Sequence, residues 1–87
     1  MHAVVISGTF NDRSAAEAEL PELSAQIAGM PGFVAGYWVA LSDEEAHAVL
    51  VFDSEEGTQA LAQAAHGGPS SAVGVTAITV GKVLGHA

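Results

Sequence analysis

Four histidines, one tryptophan and one tyrosine are the side chains of this sequence most able to do chemistry. His47 brings a group that changes charge near neutral pH and can serve as acid, base or hydrogen-bond donor. Trp38 offers an aromatic face for stacking, and Tyr37 a hydroxyl able to orient a bound molecule. His66 falls at the end of an expected helix, where the macrodipole favours a cation. Each has a purely structural alternative. Trp38 can anchor an interface, a role its residue type often fills. His47 can stand in solvent beside a turn, Tyr37 can lie in the core with its hydroxyl reaching water, and His66 can cap its helix. His2 and His86 lie at the termini, where water is the expected partner.

Other chemistries are poorly supplied. There is no cysteine, hence no disulfide framework, thiolate metal site or cysteine nucleophile. The histidines show no i, i+4 spacing, so no metal motif is present. Asp12, Glu17, Glu19 and Glu22 read as a solvated helix face, and Asp43-Glu44-Glu45 as a solvated turn, not as a buried acid–base pair. Gly67-Gly68 reads as a helix stop, since no G-x-x-x-x-G-K pattern exists. Ten acidic residues face only Arg13 and Lys82, for a net charge of −8. Nucleic acid needs clustered cations and is excluded; anionic membrane surfaces are disfavoured for the same reason. Phosphate-bearing cofactors lack a counter-charge too, with only Lys82 able to approach a pocket. No metal or cofactor is expected, and a ligand should be neutral and apolar or aromatic.

The elements that must position these residues follow from periodicity. His2 to Ser7 is short and rich in Val and Ile, a strand. Ser14-Ala15-Ala16-Glu17 fits a capping box. Leu20, Leu23, Ile27 and Met30 then recur at helical spacing. Pro21 predicts a kink or a restart within that helix, and Gly29, Pro31 and Gly32 end it. Phe33 to Leu41 and Ala46 to Phe52 read as a hairpin around the four-residue turn 42–45. Ser54 caps a second helix, with Glu55 and Glu56 at its positive end, and Gly67-Gly68-Pro69 stops it. Val73 to Leu84 is the last strand. The order is βαββαβ: a single α+β, ferredoxin-like domain over residues 1–87, with a four-stranded antiparallel sheet covered on one face by two helices.

A four-residue turn sets Leu41 opposite Ala46, Val39 opposite Ala48 and Tyr37 opposite Leu50. One face then carries Ala35, Tyr37, Val39, Leu41, Ala48, Leu50 and Phe52. The other carries Val34, Gly36, Trp38, Ala40, His47, Val49 and Val51, so Trp38 and His47 become near-diagonal neighbours. Both faces are apolar, whereas a half-exposed antiparallel sheet should alternate. Since two helices cover one face, a second copy of the chain is expected over the other. That homodimer also explains why only 14% of the residues are charged.

At the hairpin, Met30-Pro31-Gly32-Phe33-Val34-Ala35-Gly36-Tyr37-Trp38 resembles the start of the second strand in dimeric α+β barrel proteins. Val51-Phe52-Asp53-Ser54-Glu55-Glu56 is similar to their strand-to-helix junction. The resemblance, over roughly residues 2–84, is to the antibiotic-biosynthesis-monooxygenase-like domain. It implies a homodimer with a pocket between sheet and helices or loops. Some members oxidise aromatic polyketides with molecular oxygen and no cofactor; relatives degrade heme with an Asn, a Trp and a His. The heme pattern is not met: Leu61 stands where the helix Trp belongs, Ile6 and Ser7 where the Asn belongs, and His66 alone could match.

Two functions stay open on this reading. One is a cytoplasmic, cofactor-independent monooxygenase on an apolar or aromatic substrate, with His47 catalytic and Trp38, Tyr37 and His66 binding substrate. The other is a non-catalytic dimeric ligand-binding or stress-associated structural module.

Overall fold

The alternation and spacing of the apolar residues produce six elements in a computed structural model that describes residues 1–66 and 72–87, the side chain of His66 excepted. They are β1 (His2–Phe10), α1 (Arg13–Ala28), β2 (Phe33–Ala40), β3 (Glu45–Phe52), α2 (Glu55–His66) and β4 (Val73–Lys82). The strands form one antiparallel sheet in the order β2-β3-β1-β4. This is the expected ferredoxin-like βαββαβ arrangement. The expected stop at Gly67-Gly68-Pro69 lies outside the described residues.

Local chemistry explains the boundaries. Asp12, not Ser14, caps α1: its extended backbone lets the carboxylate accept from the Ala15 amide at 3.1 Å. Glu17, the expected partner of Ser14, instead pairs with Arg13 one turn earlier. The helix runs through Pro21 as one element, without restarting there, and the Ser24 hydroxyl donates to the Pro21 carbonyl at 3.1 Å. Gly29 closes α1 by donating to the Ala25 carbonyl. Gly32 then adopts φ 80°, a conformation that L side chains resist. Its carbonyl accepts from the Asp53 amide at 2.8 Å, and a Cβ there would strike the Asp53 carboxylate.

The hairpin corrects the expected register. The Leu41 amide donates to the Glu45 carbonyl at 3.0 Å, leaving only Ser42, Asp43 and Glu44 in the loop. The Ser42 hydroxyl holds it by accepting from the amides of Glu44 and Glu45. Ala40 therefore opposes Ala46, Trp38 opposes Ala48 and Val39 opposes His47. A one-residue slip exchanges a strand's faces. Gly36, Trp38 and Ala40 turn toward the helices with Ala46, Ala48 and Leu50. Ala35, Tyr37 and Val39 join His47, Val49 and Val51 on the open face. Trp38 and His47 are thus on opposite faces of the sheet.

The core gathers at one end of the helix-covered face. Val4, Leu50 and Phe52 are fully buried and pack with Ile27 and Leu61. Phe33 meets Phe52 edge-on, with ring centroids 5.7 Å apart. Leu23 from α1 and Met30 just beyond its end pack on this cluster. The open face is apolar, as expected, and exposes Val5, Tyr37 and Val39, Tyr37 at 64%. Among the described residues no helix is long and apolar enough to cross a membrane.

Candidate functional site: a hollow half beneath the helices

The helix-covered face can be read as successive rows across the sheet. One row is Gly36, Leu50, Val4 and Val80; the next is Trp38, Ala48, Ile6 and Ile78; the next is Ala40, Ala46, Gly8 and Val75. The first is filled by Leu50 and Val4, at 1% and 0% exposure. The last has almost no side-chain volume on its three strands nearest the hairpin. Gly8 is small for a backbone reason. The β1–β4 register shifts between Ser7 and Gly8, and a Cβ on Gly8 would lie 2.9 Å from the Gly74 carbonyl oxygen.

Small side chains under a helix leave space, and the space is there. A cavity of about 340 Å³ lies between this end of the sheet and the two helices, within the range of small-molecule sites. Its floor is Gly8, Ala46 and Ala48; Trp38 walls it from the sheet, Leu20 from α1 and Ala64 from α2. Its polar residues are few. Glu17, Glu19 and Gln26 stand along its α1 side, and all three are exposed. Val39 and His47 also border it; alternation with the inward alanines turns their side chains to the other face, so they contribute strand backbone.

The predicted site residues therefore separate. Trp38 is at the cavity, half-buried and packed against the core. Tyr37 and His47 belong to the open face, His47 half-buried between its strand neighbours Val39 and Ser7. His66 closes α2 directly after Ala64 and Ala65, both cavity residues; its side chain lies outside the described structure. The buried polar side chain of the described core is Thr58, whose hydroxyl donates to the Glu55 carbonyl at 2.6 Å within α2. No group of three or more His, Asp or Glu among the described residues could hold a metal.

One polar cluster sits at the hollow end. The Arg13 guanidinium donates to the Asp43 carboxylate at 2.7 Å and to the Glu17 carboxylate at 3.3 Å, and lies 5.9 Å from the centroid of the Phe10 ring. Phe10 and Glu17 both line the cavity. The start of α1 is thereby tied to the β2–β3 loop beside the opening. Sequence reading missed this clasp and the row of small residues. The signal for the row was present in Gly8, Ala40 and Ala46, but only the correct register aligns them.

Comparison with known proteins gives a fold likeness. No protein-family model matches the chain, and no curated protein matches it. Among solved structures it is similar to MhuD, a heme-degrader from Mycobacterium tuberculosis with two hemes bound in its active site. The TM-score is 0.62 at 21% identity, covering 98% of each chain. An arginine-to-serine mutant of MhuD with two manganese protoporphyrin IX bound per active site matches with TM-score 0.54 at 23% identity, over 98% of this chain and 97% of that one. These likenesses run over nearly the whole length and bear out the ferredoxin-like fold.

Proposed function

We propose that the chain is a small-molecule-binding domain of the antibiotic-biosynthesis-monooxygenase-like kind, which takes an apolar or aromatic ligand into the hollow half and acts as a homodimer. The observation that carries the reading is the 340 Å³ cavity over a floor of small residues, with the aromatic Trp38 at its wall. MhuD, built on the same fold, holds its hemes in an active site, which supports a ligand-binding role for this scaffold.

The dimer rests on the second apolar face. Val5, Tyr37 and Val39 are exposed on it as large apolar side chains. In this assembly Tyr37 and His47 belong to the subunit contact. Ligand binding is favoured over monooxygenase chemistry, because the polar groups bordering the cavity are exposed carboxylates and one amide, with no buried acid or base among the described residues. A cofactor-independent oxygenase would need such a base to form the substrate carbanion that reduces oxygen.

Titration with N-phenyl-1-naphthylamine, an uncharged aromatic dye, tests the site. Trp38, the sole tryptophan, should lose emission to the dye by energy transfer, saturably. Ala46→Leu, which raises the floor, should weaken binding about tenfold or more while far-ultraviolet circular dichroism is unchanged, since the added side chain projects into the space where an aromatic ring would lie. Equal binding by the folded variant would place the dye elsewhere and remove the cavity from the function. Oxygen uptake with aromatic quinols should stay at background; quinol-dependent uptake above background would restore the oxygenase reading.

A further inference from the structure

Neither Lys82 nor Arg13 lines the cavity. Lys82 ends β4, where it pairs with His2, in the row of Phe52 and hence at the filled end of the sheet. Arg13 stands beside the hollow end but is bound by two carboxylates, Asp43 and Glu17. Glu17 borders the cavity, and the Arg13–Glu17–Asp43 cluster carries a net charge of −1, within a chain of −8. A ligand bearing carboxylates or sulfonates would meet a negative field and no guanidinium able to pair with it. Heme, an anion through its two propionates, would find no Lys or Arg to pair with them among the described residues of the cavity.

From this charge arrangement we infer that the cavity selects uncharged aromatic or apolar molecules against anionic ones of the same shape, and that the Arg13–Asp43–Glu17 clasp sets the selection by neutralising the cation nearest the opening. This inference rests on the cavity being a ligand site. The mechanism is electrostatic, so it weakens with salt. Removing the two carboxylates while keeping Arg13 leaves its guanidinium unpaired over Phe10, and the charge of that three-residue cluster changes from −1 to +1.

Two dyes that share a skeleton provide the test: uncharged N-phenyl-1-naphthylamine and its sulfonated form, 1-anilino-8-naphthalenesulfonate, each followed by energy transfer from Trp38. At low salt the wild type should bind the uncharged dye about tenfold tighter or better, and about 0.5 M salt, where screening acts within a few ångströms, should shrink the gap severalfold. The E17Q/D43N double variant should shift the ratio of sulfonate to uncharged-dye affinity about tenfold toward the sulfonate relative to wild type. A gap that salt leaves unchanged reflects only desolvation of the sulfonate and would overturn the inference, as would equal binding of both dyes. The salt series uses unmodified protein, so it decides the matter even if the variant is unstable. Failure of both dyes to bind would overturn the ligand site itself.

Discussion

Asp12 shows how much of this fold is settled by single side chains. Its carboxylate reaches the Ala15 amide and starts α1 two residues before the Ser14 that a capping pattern favours. Both residues are good caps. The choice falls to Asp12 because the chain leaving β1 is held there: the amides of Asn11 and Asp12 donate to the Ala72 carbonyl at 2.7 and 3.2 Å, which keeps Asp12 extended. Asp12→Ala should therefore cost about 1 kcal/mol in urea unfolding, and Ser14→Ala only a few tenths. A larger loss from the Ser14 variant would return the cap to Ser14. Arg13 makes the related point that a lone cation is not automatically a ligand anchor: its partners decide whether its charge is available.

At the scale of elements, α1 carries an internal contradiction. Pro21 sits mid-helix, lacks the amide that would bond Glu17, and crowds the preceding turn. The sequence predicts a kink or restart, yet the assigned helix is continuous, because Leu23, Ile27 and Met30 gain burial against the sheet only if the helix goes on. Pro21→Ala should raise unfolding free energy by about 1 kcal/mol or more; a lower urea midpoint would show that the ring itself packs usefully. The β2–β3 hairpin was legible as a hairpin from its strand composition. Its register was not, because Leu41 and Glu45 can each be read as strand or turn. The side chain of Ser42, by binding two loop amides, closes the shorter loop.

For the whole molecule, the open sheet face is the dominant unsatisfied feature. Val5, Tyr37, Val39 and Val49 are set on it by the strand register. A face-to-face second copy would bury roughly 800 Å² per subunit if it matches standard interfaces. Analytical ultracentrifugation should find a dimer at micromolar concentration, and Val49→Lys, a charge at the centre of that face, should yield monomer. A wild-type monomer would leave the apolar face without its proposed partner. The hollow half is independent of this contact within one chain, since it lies on the other side of the sheet.

The sequence by itself determined the order of elements, the acidic and cation-poor surface, and the presence of two apolar sheet faces. Those depend on local periodicity and on composition, which are written residue by residue. The tertiary structure alone decided which apolar residues share a face, because register is a relation between strands that one loop residue can reverse. That relation separated Trp38 from His47 and aligned Gly8, Ala46 and Ala40 into an unfilled row. A cavity is a deficit of volume summed over several elements, and no single stretch of chain records it.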